Sequence, residues 1–212
     1  MPLIRFADRV RSISSTGLDE GRAMAELARF DSIVSWYGEN QPEFRDSVSH
    51  LPFTFHRALP NEDAVHAVDC YMRQVGGSDG AIPRIPCSRD DRGFIAIHPF
   101  SGSARKNWPL DKFLMLAQQV GLPVQFCAGP EEQLDGAVRF DDLYDVARWL
   151  ASAHLYVGND SGISHLAAAV GAPVVAIFRA TNPAIWAPRG GAVKVLREPD
   201  VAEVKAAVER LC

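Results

Sequence analysis

The stretch LYVGNDSGISHLAAAVGAPVVAIF, Leu155 to Phe178, limits what this chain can fold into more than any other. Leu155, Tyr156 and Val157 are an apolar run that stops at Gly158 and Asn159, where turn chemistry takes over. Asp160 or Ser161 then caps a helix, because a short side-chain oxygen satisfies first-turn N–H groups that have no intrahelical partner. The helix runs to about Val170, with Gly171 as its stop and Pro173 just beyond. Val174 to Phe178 is apolar throughout, as suits a strand buried on both faces of a parallel sheet. The turn leaves N–H groups at the positive end of a helix dipole, and Gly162 keeps side-chain bulk away from them. Such an end suits phosphate. Taken alone, Asn159 to Gly162 reads first as an ordinary capped turn.

The rest of the chain repeats this alternation. Arg9–Ile13 and Asp31–Trp36 read as strands, and Leu18–Phe30 between them as an amphipathic helix. Gln41–Val48 reads as a short helix opened by Pro42, and Pro52–His56 as a strand. Asn61 or Asp63 is the expected cap of a helix over Ala64–Val75, stopped by Gly76 and Gly77. Gly76–Asp91, rich in Gly, Pro and Ser, is the linker candidate, and no buried element is expected there. Beyond it, strands are expected at Phe94–Ile97, Pro123–Cys127 and Val193–Leu196. Helices are expected at Leu110–Val120, Leu143–Ala153 and Val201–Leu211, while Val138 to Phe140 is a weak strand signal. Strands alternating with helices imply a parallel sheet with covering helices. Two α/β units are expected, residues 1–88 and 89–212.

Composition narrows the function classes. A net charge of −4 without a long basic run gives no nucleic-acid footprint. No apolar run reaches the ~18 residues of a membrane span. Cys70, Cys87, Cys127 and Cys212 lack Cys-x-x-Cys spacing, and the histidines form no short-spaced ligand pair, so neither a zinc site nor a disulfide frame is expected. The expected location is cytoplasmic; peripheral contact with the inner face of the inner membrane stays open.

Three blocks together carry a resemblance. The first is Gly158-Asn159-Asp160-Ser161-Gly162 with His165 to Ala169 and Gly171 to Val175. The second is Ile97-His98-Pro99-Phe100-Ser101-Gly102-Ser103 followed by Lys106-Asn107-Trp108-Pro109. The third is Ala128-Gly129-Pro130-Glu131-Glu132. In order and spacing they resemble glycosyltransferase family 9, the ADP-heptose:lipopolysaccharide heptosyltransferases, over about Arg92 to Ala187. The resemblance implies an α/β fold with two Rossmann-like units of the GT-B type, the first incomplete. It also implies a nucleotide-diphospho-sugar donor of the ADP-heptose class and a lipopolysaccharide core acceptor, with no metal or other cofactor.

On that resemblance Lys106 is an ammonium that neutralises the diphosphate leaving group as charge builds on it. Ser101 and Ser103 match hydroxyl positions beside the phosphate. Asp160 caps the helix or contacts the sugar, and Ser161 and Gly162 offer N–H groups to the diphosphate. Glu132 matches a carboxylate that receives the ribose hydroxyls, since a carboxylate accepts two hydrogen bonds from a vicinal diol. Glu131 is next door, and a one-residue shift exchanges the two. A solvated loop lysine and first-turn acids on a helix dipole are the plain alternatives. His98 and Trp108 read as structural, and His165 as a packed histidine. Arg179-Ala180 stands where the family often has Gly-Pro, which puts ligand contact by the Thr181-Asn182-Pro183 loop in doubt.

Family members open with a strand and a Gly-Asp turn whose Asp the resemblance implies is the general base. Met1 is expected to fall after that opening. Asp8 does not match it, so no catalytic residue is assigned and the chain as it stands is expected not to transfer sugar. A donor- or partner-binding module without catalysis and a nucleotide-sugar epimerase remain the alternatives. An incomplete first sheet would leave an edge in need of cover, so self-association is a further expectation.

Overall fold

The computed structural model describes residues 24–60 and 65–212, which divide into two compact units at Gly80. The expectations for residues 9–23 and the capping positions Asn61 and Asp63 lie outside the described residues.

In the first unit, α1 (Met24–Leu27) precedes β1 (Ile33–Ser35), α2 (Pro42–Ser47), β2 (Phe53–Phe55) and α3 (Ala67–Gln74). The two strands pair in parallel, Ile33 opposite Phe53 and Ser35 opposite Phe55. Alternation puts Phe53 and Phe55 on one face, where their rings stack with centroids 5.2 Å apart and the Phe44 ring of α2 lies 6.1 Å from each. Pro42 opens α2, where its missing N–H costs nothing. Helix α3 begins later than its periodicity suggests, and its cap is His66. That residue's backbone is extended and its imidazole accepts from the Val68 N–H at 3.2 Å.

The second unit is built on a parallel sheet of five strands. These are β3 (Ile95–His98), β4 (Val124–Phe126), β5 (Leu155–Asn159), β6 (Val174–Phe178) and β7 (Val193–Arg197), in the spatial order β4-β3-β5-β6-β7. Helices α4 (Leu110–Gln119), α5 (Leu143–Ser152), α6 (Gly162–Ala169), α7 (Pro183–Trp186) and α8 (Val201–Leu211) follow the strands. Every residue of β3, β5 and β6 is buried, which is why those strands are apolar without alternation. Ile95, Ile97, Leu155, Val157, Val175 and Ile177 face α4 and α8, with Trp108 and Phe113 filling that core. Ala96, Tyr156, Val174, Ala176 and Phe178 face α5 and α6. The small residues Ala147, Ala151, Ala167 and Ala168 bring those helices close to the sheet. Val138 makes only an isolated bridge to Cys127, extending the line of β4 by one pair.

The linker candidate lacks helix and strand, yet from Gly80 it belongs to the second unit. The Ile85 N–H donates to the Ala169 carbonyl at 2.9 Å, and the Arg92 N–H to that of Ser152 at 2.9 Å. Ile85 and Cys87 pack on the α5–α6 core. Those two side chains and two backbone hydrogen bonds suffice to lay the run along the helices.

Candidate functional site

In this strand order the chain runs outward from β3 to β4, then crosses back to β5 on the other side of β3. Loops leaving the carboxyl ends of β3 and β5 therefore diverge, and the crevice between them is where open α/β sheets hold ligands. His98 pairs with Gly158 at that edge, so the loops at 99–109 and 159–162 start level with each other.

Asn159 ties the two loops together. Its Oδ1 accepts from the Trp108 N–H at 2.8 Å and its Nδ2 donates to the Pro99 carbonyl at 2.7 Å, all within the buried interior. Trp108 is 2% exposed and its indole N–H donates to the Pro199 carbonyl at 2.9 Å. The Asn and the Trp thus fix the base of the 99–109 loop. Ser101 closes its tip: the hydroxyl lies 2.6 Å from Asn107 Oδ1 and 2.9 Å from the Ser103 carbonyl. Its proton is shared within the loop, whereas the Ser103 hydroxyl has no hydrogen bond among the described residues.

A short 3₁₀ turn, Ala104–Lys106, ends this loop and aims Lys106 across the crevice. Its Nζ lies 2.9 Å from Asp160 Oδ2, with the lysine side chain 32% exposed and the aspartate 6%. The same Oδ2 accepts from the Thr181 hydroxyl at 2.6 Å. Ser161, not Asp160, caps α6, its side chain accepting from the Ser164 N–H. That settles the choice of cap and leaves Asp160 to the lysine. The Gly162 and Ile163 N–H groups have no acceptor among the described residues. A Cβ built on Gly162 would meet nothing within 4 Å, so open space lies beside the helix start. Beneath the turn, the Ser164 hydroxyl lies against the Asn159 carbonyl and 3.2 Å from the Tyr156 hydroxyl, which stiffens the helix start.

Glu132 lies at the carboxyl end of the next strand, β4. Its Oε2 accepts from the Gly129 N–H at 2.6 Å and lies 3.0 Å from His98 Nε2. Arg139 holds the turn from outside, donating to the Gly129 and Glu132 carbonyls. Oε1 makes no hydrogen bond among the described residues and stays available. Glu131 is exposed and has none of these supports.

The structure places Ser101, Ser103, Lys106, Asp160, Ser161, Gly162 and Glu132 at the carboxyl edge of the second sheet, with the Ser101 hydroxyl bonded within its loop. In the sequence, Asn159 and Arg139 carry no site role, His98 reads as structural and the Thr181 loop is in doubt. Asn159 had a readable signal, a polar residue closing an apolar strand. Arg179, where Gly-Pro was expected, donates to the Asn107 carbonyl at 2.7 Å and so supports the lysine loop. Among the described residues no group of three His, Cys, Asp or Glu side chains converges as a metal site would. No helix there is long and apolar enough to cross a membrane.

A five-stranded parallel unit with a capped helix N-terminus at the strand reversal is a Rossmann-like, nucleotide-binding type of unit. The model of glycosyltransferase family 9 (heptosyltransferase) matches residues 78–210, and the chain belongs to that family. Lipopolysaccharide heptosyltransferase 3 of Escherichia coli K12 is 30% identical over 117 residues, covering 45% of this chain and 33% of the relative. The chain therefore spans about a third of the length of that curated relative. Among solved structures, E. coli heptosyltransferase WaaC with ADP aligns with a TM-score of 0.69 at 18% identity, over 95% of this chain and 79% of that one. E. coli ADP-heptose lps heptosyltransferase II aligns with a TM-score of 0.71 at 17% identity, over 95% of this chain and 82% of that one. At these identities the likeness shows the fold, which is that of the GT-B heptosyltransferases.

Proposed function

We propose that this chain binds a nucleotide-diphospho-sugar of the ADP-heptose class at the carboxyl edge of its second sheet, for transfer of the sugar to a lipopolysaccharide core acceptor. The observation that carries the reading is the Lys106 ammonium 2.9 Å from Asp160, at the turn whose Gly162 and Ile163 N–H groups have no acceptor among the described residues. A diphosphate placed there meets a full positive charge on one side and a helix dipole on the other. An ammonium has three donors, so holding Asp160 leaves others for phosphate oxygens. In transfer, the bond from the anomeric carbon to the diphosphate oxygen breaks, and the leaving group takes its electron pair. Lys106 and the α6 dipole stabilise the charge that develops on that oxygen. The acceptor hydroxyl forms the new bond and gives its proton to a base, a role assigned to none of the described residues.

Glu132 extends the reading to the nucleoside, since Oε1 is positioned to accept from ribose hydroxyls. Family membership and the lipopolysaccharide heptosyltransferase relative support the donor and acceptor classes. The test is calorimetric titration of the purified chain with ADP, ADP-heptose and UDP. Binding of both adenine nucleotides with weaker binding of UDP is expected. Absence of binding by either adenine nucleotide overturns the proposal.

A further inference from the structure

We propose that His98 is a positioning residue that orients the Glu132 carboxylate toward the ribose. This rests on the reading of Glu132 as the ribose carboxylate. His98 closes β3 on the same face as Ala96 and is 6% exposed. The edge of the Phe100 ring packs against the imidazole, with centroids 6.0 Å apart. From that fixed position Nε2 meets Glu132 Oε2 at 3.0 Å, and the Gly129 N–H meets the same oxygen at 2.6 Å. Two donors on one oxygen, one from a strand end and one from a turn, fix the rotation of the carboxylate plane. The second oxygen is then held outward as an acceptor before any ligand arrives.

Two further features fit this role. Gly129 is the residue that permits it: a Cβ there would lie 3.3 Å from Oε2 and 3.4 Å from Cδ, pressing on the carboxylate. Burial lowers the His98 pKa, against the opposing pull of the Glu132 charge. The Glu132 carboxylate can only accept, so the nitrogen that faces it, Nε2, meets it as the N–H donor. A glutamate on a surface turn otherwise samples several rotamers. Fixing it in advance removes an entropic cost from binding and makes the site selective for a diol over its deoxy analogue.

The experiment compares ADP with 2′,3′-dideoxy-ADP by calorimetry on wild type, His98→Leu and His98→Gln. Wild type is expected to prefer ADP by about tenfold or more, since losing the diol leaves the held oxygen unpaired. His98→Leu should lose most of that preference while binding the dideoxy nucleotide as wild type does. His98→Gln, which keeps an N–H donor, should restore part of it. Equal weakening of both nucleotides in His98→Leu would mean a merely structural histidine and would overturn the proposal. An undiminished preference in His98→Leu would overturn it while leaving the ribose reading intact. Absence of any preference in wild type would remove the ribose reading and the proposal together. Should His98→Leu fail to fold, ¹⁵N spectra of wild type decide: an Nε2–H tautomer supports the orientation, and an Nδ1–H tautomer refutes it.

Discussion

Lys106→Ala separates the observed role of one ammonium, at Asp160, from the one we propose for it at the diphosphate. In the ligand-free protein it neutralises Asp160, whose side chain is 6% exposed, across 2.9 Å. Deleting one partner of a fully buried ion pair costs about 3–5 kcal/mol, and an exposed pair is worth about 0–1 kcal/mol. Lys106 is 32% exposed and Thr181 still donates to the carboxylate, which places this pair between those limits. We expect a loss of about 1–3 kcal/mol, or a Tm lower by about 3–9 °C for a chain of this size. In the complex, the same substitution removes a charge-assisted hydrogen bond to the diphosphate, weakening ADP by about 1.5–3 kcal/mol, a factor of about 10–150 in Kd. The double variant Lys106→Ala/Asp160→Asn tells the roles apart. Removing the orphaned charge should recover much of the Tm, while ADP affinity stays low. Calorimetry and thermal unfolding on the same samples measure both. Unchanged ADP affinity in the single variant, or full recovery of affinity in the double, would show that the lysine serves Asp160 alone.

Gly162→Val should abolish ADP binding with an unchanged circular dichroism spectrum, because the added side chain enters open space beside the helix start, where it crowds a phosphate rather than the protein. Retained binding would place the phosphate elsewhere. Alkaline pH should destabilise the fold: burial pushes the Cys127 thiol from 9.0 up to about 12, and burial also raises the Tyr156 phenol. Above pH 9 the unfolded chain binds fewer protons than the folded one, so urea-unfolding stability should fall from about pH 9 towards 12, less steeply in Cys127→Ala. A flat profile over that window would refute the burial assignment.

The second unit was largely legible because its signals are local. Apolar runs define β5 and β6, although β5 continues through Gly158 to Asn159. Asp200 and Glu203 form a full capping box at the start of α8, a pattern present in the sequence but unused in the expectation of that helix. The start of α3 was not legible, since its cap is a histidine acting through Nδ1, and nothing in Asn61 to His66 distinguishes that residue from better capping types. Within the site, charge and motif pointed to Lys106, Asp160 and Glu132. The residues holding them stayed hidden, because their partners are remote in sequence. Asn159 reaches Trp108 and Pro99, and His98 reaches Glu132. Ser101 was read as a phosphate hydroxyl because it matches such a position in the family it resembles. Its use within the loop depends on where Asn107 points.

These hidden contacts determine how the site should respond to a ligand. Loops on an α/β sheet are usually its most mobile parts, and a diphosphate bound by mobile loops must order them at a cost to affinity. Here the lysine loop is held at its base by Asn159, at its tip by Ser101 and from the β6 side by Arg179. The α6 turn is held by Ser161 from within and by the Ser164–Tyr156 hydroxyl pair from below. Both loops leave adjacent strands whose register, His98 opposite Gly158, is set by buried apolar residues on both faces. The separation between the ammonium and the helix end is therefore a property of the sheet core. Of the groups proposed to meet the diphosphate, the Lys106 ammonium keeps Asp160 and takes phosphate oxygens alongside it. On that proposal the electrostatic complement to the leaving group is in place before the donor arrives.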